Sequence, residues 1–568
     1  MEFVELIKTP KVEGVVLERP CAAPLEGTLC LTGHHLIVSS RREHAEEMWL
    51  RLSSIDAVEK SFESRGNQVV KFTDLQEERF AGTVGTLTIK CKDLRIILLH
   101  IPGMEECHNI ASSIEVLSTL TAVNLYYPFF YRPMFEALED GWHSFLPEHE
   151  FTRLTSHTAD WRLSHVNKDF TVCPSYPPVV IIPKAIDDEM VKKVSAFRQN
   201  GRFPVLSYYH KTNGMVMMRC SQPLTGSGGK RCKDDEKLVN AVLGPGKRGY
   251  IIDTRSLHIA QQARAKGGGY EPEAHYPQWR RINKSIERYN LMQDSFIKLV
   301  EACNDPSHNM DRWLSKLEAS NWLGHIKDIL TAACLAAQCL DREGASVLVH
   351  GSDGTDSTLQ VSALAQVILD QDCRTLRGFQ ALVEREWLQA GHPFQERCSR
   401  SAFANVKPRQ EAPSFLLFLD CCQQIQRQFP CSFEFGERFL VLLFEHAYAS
   451  QFGTFLCNSE LERMKMKVQQ KTVSMWSWVN RPEVMEQYLN PLYEPNNLAI
   501  WPSVAPQSLV LWEGVFLRWN QSFKCVQEAW DEVVLIAARH KELQARVSSL
   551  KDELASLETA RDPPNGEQ

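Results

Sequence analysis

ASVLVHGSDGTDSTLQVSALAQVIL, Ala345 to Leu369, decides the fold. Its first six residues, to His350, are a short apolar run suited to a buried strand, and GSDGTDS is a glycine-rich turn. From Thr358 to Leu369 the apolar residues recur at helical spacing. Strand, loop and helix in that order aim a helix amino terminus and several backbone N–H groups at one point, which suits an anion. Many α/β proteins use the same glycine turn only to pack the helix, so a binding loop and a structural loop both stand as readings here.

Outward from this unit, about Tyr126 to Trp519 mixes short aromatic-rich strands with helices, an α/β domain assigned to residues 123–519. Ahead of it, EGTLCLTGHHLIVSS from Glu26 reads as a hairpin with a Gly-His turn. TLTIKCKDLRIILLHI, Thr86 to Ile101, reads as a second with a Lys-Asp turn. A helix over Gly103 to Leu120 closes this β-rich first domain, residues 1–122. The polar, weakly periodic stretch at about 61–85 reads as a long loop or insertion.

The tail carries the clearest periodicity. Val526, Val533, His540, Val547 and Leu554 share one seam position, and Ala529, Ile536, Leu543, Leu550 and Leu557 share the other. Five heptads predict a coiled coil over 520–560, followed by a disordered tail at 561–568. The competing reading is a long helix folded back on its own core, which normally shows a broader apolar stripe.

Composition narrows the classes. At 568 residues the chain holds two or three domains, and 43% hydrophobic with 23% charged residues is a globular balance. A net charge of −7 excludes a general attraction to nucleic acid or anionic membranes, leaving only local basic faces. The first residues, MEFVELIKTPKVEG, lack the basic and apolar run of a signal peptide. FLLFLDCC from Phe415 and FLVLLF from Phe439 are too short to span a bilayer, so a cytoplasmic or peripheral protein is expected. The 17 cysteines form no C-x-x-C pair or regular framework, which fits reduced thiols and predicts no metal site.

Taken with WRLSHVNKDFTVCPSYP from Trp161, RFPVLSYYH from Arg202, RCSQPLTG from Arg219, ARAKGGGYE from Ala263, WLSKLEASNWL from Trp313, RTLRGFQALVEREWLQAGHPF from Arg374 and FLDCCQQIQRQFPCSFEF from Phe418, the chain resembles the myotubularins. The resemblance covers nearly the whole chain and is to the inactive branch. It implies a PH-GRAM-like first domain, a cysteine-phosphatase-like second domain and a C-terminal coiled coil.

Active members of that family are phosphoinositide 3-phosphatases carrying C-S-D-G-W-D-R-T directly after the strand-ending histidine. Here those positions read Gly351, Ser352, Asp353, Gly354, Thr355, Asp356, Ser357 and Thr358, following His350. The resemblance therefore puts the nucleophilic cysteine at Gly351, the phosphate-binding arginine at Ser357 and the tryptophan at Thr355. Glycine has no atom to attack phosphorus, and a serine hydroxyl is neutral and too short to replace a bidentate guanidinium. Ser352 lacks a positioned base. Asp356, at the family's general-acid position, is expected instead to accept loop or helix-terminal hydrogen bonds. No catalytic residue is expected, while Gly351, Ser352, Gly354 and Ser357 remain candidates for weak phosphate binding through the backbone.

The resemblance implies a non-enzymatic regulator that pairs through its coiled coil with active myotubularin-related phosphatases and so acts on phosphatidylinositol 3-phosphate turnover at endomembranes and in autophagy. A homodimer, and a phosphoinositide-binding module with peripheral membrane contact, are the further expectations. No cofactor is implied, and no cysteine/histidine cluster matches the FYVE zinc module of some relatives. Arg202, Arg255, Arg264 and Lys266 are candidates for a basic rim or for internal ion pairs. Gly267–Gly269 reads as a tight turn, and Leu461 to Lys471 as a solvated helix face or a basic patch. Trp476, Trp478, Trp512 and Trp519 read as packing residues.

Overall fold

The structure is a computed structural model that describes residues 3–20, 22–40, 47–64, 68–71, 84–305, 309–404, 410–519 and 521–561. The first domain is an eight-stranded sheet of β1 (Lys11–Glu18), β2 (Leu25–Leu31), β3 (His35–Ser39), β4 (Glu47–Arg51), β5 (Ile55–Ser64), β6 (Gln68–Lys71), β7 (Val84–Cys91) and β8 (Ile96–Pro102), backed by helix α1 (Met104–Ser118). The strands run in the order β4-β3-β2-β1-β8-β7-β5-β6 with antiparallel pairing throughout. Every second residue of β7 and β8 is buried, the period that puts one face of a sheet on a core. Both expected hairpins are present, but the sheet is larger than two hairpins. The stretch at 61–85 is not a plain loop: Ser61–Ser64 and Gln68–Lys71 pair as the ends of β5 and β6. Cross-strand hydrogen bonds outweighed its weak apolar alternation. Residues 65–67 and 72–83 of that stretch lie outside the described residues.

In the second domain, β9 (Trp161–Ser164) and β10 (Val180–Pro183) form a separate ribbon. The central sheet comprises β11 (Val205–Tyr209), β12 (Val216–Cys220), β13 (Gly249–Asp253), β14 (Trp279–Asn283) and β15 (Val347–His350), in the order β11-β12-β15-β13-β14. Only β11 is antiparallel to its neighbour. β15 is buried along its whole length because both faces are covered. Val347 and Val349 enter the core built on α2 (Trp322–Asp341) and α3 (Ser357–Leu369), while Leu348 enters the opposite core beside Tyr276 and Leu238. The loop after β15 therefore emerges at the carboxyl edge of the parallel strands, flanked by the segments that follow β12 and β13, the usual crevice of an open α/β sheet.

α3 is buried from Thr358 to Leu369, enclosed by α2, α4 (Ser414–Gln428) and the central sheet, and α5 (Glu437–Tyr448) packs on α4. Trp476 and Trp512 are fully buried, and Trp478 packs against the same core. Trp519 donates to Asp93 O at 3.0 Å and stacks under Arg95. This couples the β7–β8 turn of the first domain to the end of the second. Leu94 in that turn holds φ +69° and is buried in the core of the second domain. Asp56 accepts from Ser401 N (3.0 Å), Ser401 Oγ (2.8 Å) and Phe403 N (3.0 Å). The two domains are thus joined by buried polar contacts and one inserted leucine.

The last element, α6 (Gln521–Arg561), is a single helix about 60 Å long at 1.5 Å per residue. Ala529 and His540 are exposed, as are Val533 (42%), Ile536 (61%), Leu543 (52%), Val547, Leu550, Leu554 and Leu557 (67%). The fold-back alternative is excluded for these positions. Val526 lies in the helix, but its side chain is outside the described residues, as are residues 562–568 of the expected tail. No helix among the described residues is long and apolar enough to cross a membrane.

Asp420 ties α4 to α2 by accepting from Trp322 Nε1 at 2.8 Å, and it takes a second bond from Gln424. Burial raises its pKa from 3.8 to about 7, against the lowering effect of those two donors. The raised folded-state value means that the contribution of Asp420 to stability is greatest at low pH and is lost as pH rises from about 4 toward 7. Asp420→Asn is expected to remove that part of the pH dependence, read as a flatter dependence of Tm on pH than in the unaltered chain.

Candidate functional site

The site is built on the end of β15. His350 is fully buried, with Nε2 2.9 Å from Glu271 Oε2 and Nδ1 3.2 Å from Gly351 O. Glu271 takes a 2.6 Å bond from Arg198, whose guanidinium also clasps Asp235 through Nε (2.8 Å) and Nη2 (2.7 Å). Tyr276 Oη closes the chain on Asp235 at 2.6 Å. Burial alone would raise the Glu271 pKa, but His350 and then Arg198 outweigh it and hold the carboxyl well below the usual range. This network lies behind the loop and fixes its entry.

The loop carbonyls are held from outside. Gln222 N donates to Ser352 O at 3.1 Å, Arg202 Nη2 to Gly354 O at 2.8 Å, and His392 Nδ1 lies 2.7 Å from Thr355 O. Gly354 has φ +75°, and a Cβ there would stand 2.5 Å from Cys220 O, so the turn requires glycine on both counts. With the carbonyls turned outward, none of the amides from Ser352 to Thr358 donates to another group among the described residues. These amides converge at the start of α3, an arrangement that can receive a small anion.

Around Gly351 the interior is occupied by hydroxyls. Thr254 Oγ1 and Ser357 Oγ are hydrogen bonded at 2.7 Å. A Cβ on Gly351 would lie 2.7 Å from Thr254 Oγ1, 3.3 Å from Thr358 Oγ1 and 3.4 Å from Ser357 Oγ. Thr358 Oγ1 is buried without a partner among the described residues. The pocket floor therefore offers neutral hydroxyls and amides, with neither a thiol nor a guanidinium.

Of the two kinds of hydrogen bond expected at Asp356, the loop supplies one, from Thr355 Oγ1, and its side chain caps no helix amide. Its carboxylate is gripped by Arg397 through Nε and Nη2, both at 2.9 Å, and by Ser414 Oγ at 2.7 Å, with Thr355 Oγ1 at 3.1 Å. Burial works to raise its pKa, but Arg397 outweighs that, with smaller help from His392 and Ser414, and holds Asp356 well below the usual range. A bidentate ion pair simply outcompetes a helix amide for this carboxylate. Asp353, by contrast, is exposed on the outer side of the loop.

The basic rim is largely absent. Arg202 is buried beneath the loop, bonded to Gly354 O and Ser175 and stacked on Tyr176. Arg255 is spent on Asp253, Gln222 and Gly269 O. Arg264 is half-buried against Tyr270, and Lys266 is exposed. Gly267 to Gly269 form a turn in which a Cβ on Gly269 would lie 1.9 Å from Thr225 Oγ1, a structural use of glycine. In the Leu461 to Lys471 stretch, Arg463 is buried and Met464 exposed, so only part of it is a solvated face. Sequence reading did not find Thr254, His392 or Arg397, which come from remote segments and carry no local signal. Among the described residues no group of His, Cys, Asp and Glu is arranged to hold a metal ion.

A family model described as "Myotubularin-like phosphatase domain" matches residues 126–464, and one described as "MTMR6-9, GRAM domain" matches residues 11–118. The chain is 68% identical over 559 residues to myotubularin-related protein 9 of Homo sapiens, covering 98% of each chain. It is 40% identical over 578 residues to myotubularin-related protein 9 of Caenorhabditis elegans, again covering 98% of each. With phosphatidylinositol-3-phosphate phosphatase MTMR7 of Homo sapiens it shares 36% identity over 560 residues, 95% of this chain and 81% of the relative.

Two outcomes follow from the geometry. Gly351→Ala is expected to cost about 1–3 kcal/mol through the clash with Thr254, and Thr254→Ala in the same chain to recover most of it, read by denaturant unfolding. Asp356→Ala strands the Arg397 guanidinium and is expected to cost about 3 kcal/mol, visible as a lower Tm.

Proposed function

This chain belongs to the myotubularin family, and from that premise we propose that it is a catalytically inactive member that regulates an active myotubularin phosphoinositide 3-phosphatase by pairing with it through α6. The single observation that carries the proposal is the exposed seam: an apolar stripe repeated over the heptads from Ala529 to Leu557, whose side chains are exposed. Burying such side chains against a partner helix contributes about 1.5–3 kcal/mol for each large aliphatic one. An isolated helix of this kind gains little by remaining alone in water.

Loss of chemistry supports the same reading. Attack on phosphorus needs a nucleophile, and Gly351 has none; Ser357 is tied to Thr254 and carries no charge. Asp356, locked to Arg397, is held ionised and so has no proton to give a leaving group. A partner that binds only the folded enzyme raises the enzyme's stability and can favour its competent state. The site of action would be a cytoplasmic membrane surface carrying phosphatidylinositol 3-phosphate or its 3,5-bisphosphate. Self-pairing through the same seam would compete with the active partner.

A second reading, phosphoinositide binding by the degenerate loop, is favoured by the unbonded amides from Ser352 to Thr358. Gly351, Ser352, Gly354 and Ser357 would then contact a phosphate through backbone and hydroxyl. Without a guanidinium the binding would be at least about tenfold weaker than in an active relative.

Replacing Leu543 and Leu550 together by Asp tests the main reading. Because both side chains are exposed, the Tm of the body should not change, while co-purification with an active myotubularin from cells should fall by more than about tenfold. Undiminished co-purification would reject the seam as the contact. Purified chain alone is expected to release no phosphate from either lipid, and Gly351→Cys with Ser357→Arg to restore activity only when Thr254 is also made smaller.

A further inference from the structure

A cleft of about 450 Å³ lies where the first domain meets the second, a size suited to a small organic molecule. The first domain lines it with Ser53, Ile55 and Lys92, and α1 adds Leu117. The second domain supplies Phe394, Arg400, Tyr448 and Phe455. Lys92 is only 8% exposed, yet its ammonium makes no hydrogen bond or ion pair among the described residues. The carboxylate that acts on it, Asp56, makes its hydrogen bonds elsewhere, accepting from Ser401 N, Ser401 Oγ and Phe403 N. Arg400, which also has no hydrogen bond or ion pair among the described residues, adds a second positive charge that acts on Lys92. Burial accordingly drives the Lys92 pKa down, opposed by Asp56. Two further donors in the same walls, Ser53 Oγ and Tyr448 Oη, are buried without partners among the described residues.

A buried, unpaired ammonium beside a second cation costs stability unless a counter-charge arrives. Two carboxylates besides Asp56 line the cleft. Glu396 is exposed, where solvent screens it, and Glu411 is engaged by Ser399 Oγ and Gln410 N. Half-buried Leu120, Leu125 and Tyr126 give the same cleft its accessible apolar surface. We propose that this cleft binds a small amphipathic anion, with a carboxylate or phosphate against Lys92 and Arg400 and an apolar body against Leu120, Leu125 and Tyr126. The ligand would bridge the two domains and favour their docked arrangement. The proposal does not depend on the partner or on the degenerate loop, which lies elsewhere and shares none of these residues.

The test uses the full chain with four probes: octyl phosphate, octanoate, octanol and inorganic phosphate. Octyl phosphate or octanoate at saturating concentration should raise Tm by about 2 °C or more, and titration calorimetry should give one site. Octanol and inorganic phosphate should each produce little change. An equal response to octanol overturns the anion requirement, and an equal response to inorganic phosphate overturns the apolar one. Lys92→Met should raise Tm without ligand, because it removes an unpaired buried charge, and should abolish the response to octyl phosphate. A lower Tm in that variant together with an unchanged response assigns Lys92 a structural role and overturns the proposal. Arg400→Gln, at a half-exposed position, should fold normally and bind octyl phosphate several-fold more weakly; unchanged affinity counts against the assigned cationic end.

Discussion

The guanidinium of Arg198, fully buried between Asp235 and Glu271, sets the geometry on which the rest of the second domain depends. It carries Glu271 to His350, and His350 ends the central strand from which the loop springs. Taking so many charges out of water is tolerated only when every partner is in place, since removing one leaves the others unpaired in a medium that cannot solvate them. The loop thus inherits a fixed starting point from a network that is buried at the end of β15. Arg202 and Arg397 extend the same logic, one holding Gly354 O and the other holding Asp356.

This arrangement holds the loop in shape through groups other than the residue at position 351. Its shape is dictated by Gly354, by outward-facing carbonyls and by buried ion pairs, none of which requires a nucleophile. The Thr254–Ser357 hydroxyl pair stands against Gly351, where a Cβ would meet both groups. The uncommitted parts of the molecule are then the apolar seam and the cleft around Lys92, and both are suited to binding.

Much of this architecture was legible in the residues. The strand-loop-helix reading of Ala345 to Leu369 rested on periodicity and glycine placement, both local signals, and β15 and α3 lie within it. The helix at the chain's end was legible for the same reason, its period being sustained over five heptads. Strands β5 and β6 escaped because their polar residues carry little alternation and depend on cross-strand hydrogen bonds for support. Arg202 read as part of a rim but is buried, since composition cannot say which arginines find carboxylates or carbonyls inside. The partner of Asp356 was invisible for a related reason: Arg397 and Ser414 lie far along the chain and meet it only through packing.

The central claim, that this chain acts on phosphoinositide turnover through another enzyme and not by its own chemistry, meets its most direct test in one measurement. The rate of phosphate release from phosphatidylinositol 3-phosphate by an active, co-purifying myotubularin is followed with the intact chain, with the chain ending before α6, and with neither. The account predicts that only the intact chain changes the rate or prolongs the enzyme's active lifetime. An unchanged rate and lifetime with the intact chain, or phosphate release by this chain alone, would contradict it.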